Sequence, residues 1–180
     1  MMKWLKQQGR TPQPNDAETI MSINGNFEMI AAVLGYQLPK TLLAEMNTDL
    51  QNDIKQMQMF DDSMPTLIQL KNLGYNVAIC SNAAMPYGEH AEHLLPPLDA
   101  YAWSFKVGAN KPKPFIYQYF LTQMNCQPNE VLFIGDTQLA DVDGPRKLGI
   151  TARLIDRKND EKILDILSSL TFLKKYKSFF

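Results

Sequence analysis

Before residue 60 the apolar side chains recur at helical spacing. After it, short apolar runs alternate with amphipathic stretches. No run in the first 60 residues reads as a strand. Residues 2–8 predict a short helix, broken by RTPQPN at 10–15. From Asp16 the apolar side chains Ile20, Ile23, Phe27, Ile30, Ala31 and Leu34 lie on one helical face, with Asp16 as the predicted N-cap and Gly35 as the stop. Asn24-Gly25 interrupts this stretch and predicts a split or a bend. A second long helix is predicted over 39–59, with Pro39 in its first turn and Leu42, Leu43, Met46, Leu50 and Ile54 on its apolar side. The methionines between Met57 and Met64 read as adaptable packing rather than a cofactor box.

A helix over 64–73 ends at Gly74. Four short apolar runs follow and read as strands: NVAIC (76–80), AYAWSF (100–105), VLFIG (131–135) and TARLI (151–155). Helices are predicted over 114–124, 139–148 and 160–173. Strands alternating with helices imply an α/β fold with a doubly wound parallel sheet and right-handed crossovers. The chain therefore divides into a helical lobe, 1–60, and an α/β core, 61–180. In such sheets ligands bind beyond the carboxyl ends of the strands. That rule selects Ser81-Asn82, residues 106–111, Gly135-Asp136 and Asp156, expected to converge on one rim.

Composition narrows the function classes. The 180 residues are 45% apolar and 21% charged, with a net charge of −1, which is enough apolar material for a core. No basic excess points to nucleic acid, and no apolar run approaches a membrane span. The start, MMKWLKQQGRTPQP, has no apolar stretch of the kind a secretory leader carries. Cys80 and Cys126 both lie in or beside apolar stretches, so free thiols in a reducing compartment, the cytoplasm, are expected.

The chemistry lies at the strand ends. Asp136 follows VLFIG directly, and Gly135 leaves room for a sharp turn. Asp141, five residues on, can point back to the same place. Two carboxylates without a basic residue between them repel each other unless a cation is near, and hard oxygen donors suit Mg²⁺. The spacing alone fits a helix N-cap at Asp136 and a solvated Asp141 equally well. Ser81, at the tip of NVAIC, offers a hydroxyl and, with Asn82, backbone N–H groups to a phosphate oxygen, or an ordinary helix cap. Lys111 sits in GANKPKP, where flanking prolines stiffen the loop and help aim an ammonium at an anionic substrate. His90 and His93 read as surface residues. Neither GxGxxG nor GxxxxGK[ST] occurs.

Taken in order, these pieces resemble the haloacid dehalogenase (HAD) superfamily. VAICSN resembles its strand ending in Ser/Thr, GANKPKP its G-x-x-K-P-x-P lysine loop, and VLFIGDTQLAD its strand followed by two spaced aspartates. Lys113 stands where an Asp is commoner. The ordered set covers residues 64–157, and residues 1–60 resemble the helical cap lobe of many members. The resemblance implies hydrolysis of a small phosphorylated metabolite through an aspartyl-phosphate. It implies Mg²⁺ at Asp136, supported by Asp141, and Ser81, Asn82 and Lys111 on the phosphoryl group, with Lys111 and Asp141 as catalytic residues.

One part is missing. The resemblance implies an N-terminal apolar strand ending in D-x-D-x-[TV], whose first aspartate is the nucleophile. No carboxylate in residues 1–60 has that setting; Asp141-Val142-Asp143 has the spacing but no strand of its own, and Asp61-Asp62 is adjacent rather than alternating. The implied strand belongs in mid-sheet, between NVAIC and VLFIG. Its loss predicts two open apolar edges, reduced stability, inactivity of this chain alone, and a strand-donating partner or self-association at the gap. The alternative is a degenerate, non-catalytic HAD-like protein that binds a phosphorylated ligand or a protein partner. A receiver-like signalling domain fits less well, because its acidic cluster precedes its lysine whereas this acid pair follows Lys111.

Overall fold

A computed structural model describes residues 1–169. The elements in chain order are α1 (Met2–Gln7), α2 (Asp16–Ser22), α3 (Phe27–Val33), α4 (Lys40–Gln56), α5 (Ser63–Asn72), β1 (Ala78–Ser81) and α6 (Met85–Leu94). They continue with β2 (Ala100–Trp103), α7 (Ser104–Val107), α8 (Pro114–Met124) and β3 (Leu132–Gly135). A π-helical turn (Gln138–Asp143) then runs into α9 (Gly144–Arg146), followed by β4 (Thr151–Leu154) and α10 (Ile163–Ser169). The mixed α/β architecture is the expected class. The last predicted helix, 160–173, falls partly outside the described residues.

Local chemistry sets several boundaries. The split predicted at Asn24-Gly25 is present: α2 stops at Ser22, and Asn26 restarts the chain as α3 by accepting the Met29 N–H (3.0 Å). Asp16 is not the N-cap of α2 but its first helical residue. Its carboxylate instead takes both Arg10 guanidinium nitrogens (2.6 and 2.5 Å) and the Gln13 N–H (2.8 Å). Pro39 stands before α4 in extended conformation rather than inside its first turn. The predicted helix over 139–148 is a π-turn followed by a short α-helix.

The chain forms two units. The first comprises Met1–Gln58, Cys80–Leu95 and Ala102–Asn110. Its core gathers Ala31, Leu38 and Met46 beneath Trp4, Phe27, Leu42 and Leu43. Buried Ser104 ties this unit together, donating from Oγ to the Met21 carbonyl (2.7 Å) and accepting the Ala83 N–H (3.0 Å).

The second unit comprises Met59–Ile79, Pro96–Tyr101 and the chain from Lys111 onward. Phe133 on β3 meets Tyr117 and Phe120 of α8 edge-on, at 5.9 and 6.1 Å between ring centroids. Two carboxylates clamp it. Asp62 accepts from Arg157 Nη1 and from the Ile163 N–H at the start of α10, both at 2.8 Å. Asp99 accepts the Val77 N–H (2.7 Å) and Lys71 Nζ (3.0 Å).

The sheet is in two pieces. β1 pairs with β2, and β3 pairs in parallel with β4 in the register Leu132↔Thr151 through Gly135↔Leu154. Within the second unit a cleft of about 580 Å³ lies between residues 76–78 and residues 131, 132 and 134. Among the described residues no strand occupies it.

The clamps make stability pH-dependent. For Asp62, burial pushes the carboxyl up, but the Ile163 N–H and Arg157 outweigh it and the net shift is downward. Asp99 is held low by the Val77 N–H first and Lys71 second. Asp16 is lowered from 3.8 to about 2, chiefly by Arg10. Each carboxyl sits lower folded than unfolded, so its contribution is complete above the ordinary carboxylate range and is lost on acidification through the folded value. Urea denaturation followed by circular dichroism is expected to give constant stability from pH 7 to about 5 and a steep fall between about 4 and 2. Asp62→Asn and Asp99→Asn should each flatten that fall; a profile that rises on acidification contradicts the assignment.

Candidate active site

The rim of the second unit is built from three segments: the end of β3, the π-turn after it, and the loop before α8. β3 carries the chain to Gly135, and Asp136 and Thr137 follow at the edge of the sheet. The π-turn then brings Asp141 back over Gly135. Gly135 is needed for this close approach rather than for its backbone angle, which is not in the left-handed region. A Cβ there would overlap the Asp141 Cγ, Oδ2 and Cβ. Single π-turns of this kind recur at functional sites.

Asp141 is 4% exposed, and each of its oxygens has a donor. Lys111 Nζ donates to Oδ1 at 2.5 Å, and the Thr137 N–H donates to Oδ2 at 2.9 Å. The Lys111 ammonium also lies 5.4 Å from the Phe133 ring centroid, so β3 itself helps hold the lysine. Asp136 is exposed, with the Thr137 hydroxyl 3.3 Å from its Oδ1. Thr137 thus links the two carboxylates, one through its side chain and one through its backbone.

Tyr117 supports the turn from beneath. Fully buried on α8, it donates its hydroxyl to the Ala140 carbonyl at 2.5 Å. Gly144, at the start of α9, has no room for a Cβ against that hydroxyl. Neither Thr137 nor Tyr117 is singled out by the sequence reading. Thr137 is at least adjacent to the acid pair; Tyr117 looks like any aromatic on an apolar helix face.

Lys111, Asp136 and Asp141 therefore meet on one rim. Ser81 and Asn82, both half-buried, close β1 in the first unit, where the next N–H, that of Ala83, is anchored on Ser104. Two other expected rim positions are engaged locally. Lys106 pairs with Glu92 (2.8 Å), and Asp156 closes its own turn by accepting from the Asn159 side chain (2.6 Å) and the Lys158 N–H. Short polar side chains after a strand often fold back on their own loop, and Asp156 does so.

Asp136 and Asp141 offer the hard oxygen donors that suit Mg²⁺, with the exposed Asp136 the better placed for direct contact. Among the described residues no group of three or more His, Cys, Asp or Glu could hold a metal ion. Mg²⁺ here would thus rely on waters, substrate oxygens and a ligand from elsewhere. Cys80 and Cys126 are free thiols. No helix among the described residues is long and apolar enough to cross a membrane.

A family model described as haloacid dehalogenase-like hydrolase matches residues 1–155. The chain belongs to this family. Among curated HAD-like relatives, (S)-2-haloacid dehalogenase 4A of Burkholderia cepacia is 31% identical over 114 residues, covering 62% of this chain and 49% of that protein. Glyceraldehyde 3-phosphate phosphatase of Methanothermobacter thermautotrophicus is 26% identical over 137 residues, covering 72% and 58%. The solved structure of a predicted HAD-like family hydrolase from Porphyromonas gingivalis superposes with a TM-score of 0.66 at 15% identity, over 93% of this chain and 86% of that one. That last likeness concerns the HAD fold alone. The chain spans about half the length of the curated relatives it matches.

Proposed function

We propose that this chain is the larger part of a HAD-like phosphatase that hydrolyses a small phosphorylated metabolite in the cytoplasm. The observation that carries the reading is the rim itself: a buried lysine–aspartate pair beside an exposed aspartate, all at one strand end. Lys111 supplies positive charge toward the phosphoryl oxygens, and Asp141 holds its ammonium in place. Asp136 would hold Mg²⁺, with Asp141 supporting the ion through water; the ion would neutralise phosphate charge. Ser81 and Asn82 would take a phosphoryl oxygen through hydroxyl and backbone N–H. Residues 1–60 would act as the cap.

The attacking carboxylate is not among these residues, so the reaction needs a segment from outside residues 1–180, and this chain alone is expected to be inactive. The relatives above include both a phosphatase and a dehalogenase, and both chemistries are compatible with an aspartate nucleophile. The acid pair and the ammonium favour a phosphate ester, because they match a dianion bridged to a divalent cation.

The test joins an apolar strand ending in Asp-x-Asp ahead of Met1 and assays the purified protein with Mg²⁺. Phosphate release from p-nitrophenyl phosphate is expected, absent without the added strand and reduced at least about 100-fold by Asp136→Ala, the loss of a main electrostatic contributor. Chloride release from 2-chloropropionate with no phosphatase activity would make the protein a dehalogenase. A folded, fused protein with neither activity would support a non-catalytic binding role.

A further inference from the structure

The turn that carries Asp141 changes helical register within a few residues. The Asp141 N–H donates to the Thr137 carbonyl (2.7 Å), a four-residue step, and the Lys147 N–H donates to the Asp143 carbonyl (3.3 Å), another. Between them the Gly144 N–H reaches back five residues, to the Leu139 carbonyl. One extra residue is thus inserted into an otherwise α-helical path. In an α register the Gly144 N–H would take the Ala140 carbonyl, four residues back. Here that carbonyl accepts the Tyr117 hydroxyl instead.

Side chains tie the two ends of the turn. Gln138 Nε2 donates to Asp143 Oδ1 at 2.7 Å. The acceptor is a carboxylate, which strengthens the bond. The two residues are five apart. At about 100° per residue, such positions lie about 140° apart round an α-helix, and only residues three or four apart face each other. An i→i+5 turn brings positions five apart to the same side. The bond therefore fits the π register and not the α register.

We propose that Gln138 and Asp143 are positioning residues of the rim: their hydrogen bond holds the π register, and that register holds Asp141 over Gly135. One residue is about 100° of an α-helix, so closing the turn to the α register would rotate Asp141 by up to that angle against α9. Its carboxylate would then leave Lys111 Nζ and the Thr137 N–H. The Tyr117 hydroxyl would lose the Ala140 carbonyl in the same step. Gln138 is exposed and Asp143 half-buried, so the tie can be altered without opening the core. What Asp141 does once placed rests on the phosphatase reading; the register does not, and its test needs no substrate.

Gln138→Glu faces Asp143 with a second carboxylate and breaks the tie. Gln138→Glu/Asp143→Asn restores it with donor and acceptor exchanged. Amide exchange in the 180-residue protein is followed by NMR near neutral pH. Gln138→Glu is expected to speed exchange at Gly144 and Thr137, the donors to Leu139 and Asp141, at least about threefold. The Thr137 amide resonance should move upfield as its carboxylate acceptor withdraws. The Ile155 N–H, bonded to the Gly135 carbonyl outside the turn, should exchange as in the parent. The double variant should return Gly144 and Thr137 to within about twofold of the parent. Equal acceleration at Ile155 would make the tie a plain contributor to stability and overturn the proposal. So would parent-like exchange in Gln138→Glu, or a double variant as fast as the single one. In the strand-fused protein kcat should fall and recover in the same order, with KM for p-nitrophenyl phosphate unchanged. A fused parent without turnover would count against the phosphatase reading, while the exchange pattern would still decide the tie.

Discussion

Lys111→Met is expected to cost about 3–5 kcal/mol of folding stability, the range for removing one partner of a buried ion pair. The side chains of Lys111 and Asp141 are 10% and 5% exposed, so water screens the pair little. Methionine keeps an unbranched apolar side chain in place of the lysine stem and removes the ammonium that lies over Phe133. Asp141 is then left as a buried carboxylate with the Thr137 N–H on one oxygen. A whole domain is stable by only about 5–15 kcal/mol, so the variant should populate unfolded chain at modest urea concentrations. The double variant Lys111→Met/Asp141→Asn should recover most of the loss, because an amide oxygen still accepts from Thr137 and carries no charge to bury. The four proteins form a cycle read by urea denaturation. Single variants as stable as the parent would show that the pair is solvated in solution and would remove the main support for a preformed phosphoryl site.

This pair also shows what the sequence made readable. Lys111, Asp136 and Asp141 were selected as residues at strand ends, and the structure brings them to one rim. That convergence follows a regularity of α/β folds: the loops beyond the carboxyl ends of strands lie on one rim, and short apolar runs mark those ends even in one sequence. The same regularity overreached at Asp156 and Lys106. Nothing in the residue type tells whether a polar side chain after a strand faces a ligand or its own turn. Neighbouring donors decide it, and Asn159 and Glu92 supply the partners in these two cases.

The helices were legible in kind but not always in boundary. The interruption at Asn24-Gly25 was visible because glycine and asparagine break periodicity. The role of Asp16 was not, because a bidentate Arg10 six residues upstream competes with capping and wins through charge. The π-turn over Gln138–Asp143 left no sequence signal distinct from an α-helix, because residue types do not reveal a switch from i→i+4 to i→i+5 hydrogen bonds. Tyr117 was illegible for a related reason: its hydroxyl matters through one backbone carbonyl at Ala140, a long-range partner that periodicity cannot name. The split sheet was foreseen as an absence of the middle strand. Among the described residues the split leaves a cleft lined by side chains of α5, α8 and α10.

Gly135→Ala is expected to be the most disruptive one-methyl change in the site. Its Cβ would overlap three atoms of Asp141, none of which is the loose end of a flexible chain. The carboxylate is held by Lys111 on one oxygen and Thr137 on the other, so relief requires breaking at least one of those bonds or shifting the π-turn. Overpacking of this kind costs about 1–3 kcal/mol, and the lost pairing pushes the outcome to the top of that range. Gly149→Ala is a useful contrast. Gly149 has φ +83°, with only Pro128 Cβ at 3.7 Å, so its penalty is backbone strain of about 1–2 kcal/mol and leaves the rim untouched. The two mechanisms separate in combination with Lys111→Met. In the Gly135→Ala background Asp141 is already displaced, so removing the ammonium should cost about 1 kcal/mol rather than the full amount, a strong departure from additivity. In the Gly149→Ala background Lys111→Met should cost as much as it does alone. Additive losses at Gly135 would mean that Asp141 keeps its lysine after the methyl is added, and that the close approach over the end of β3 is not what holds the pair together.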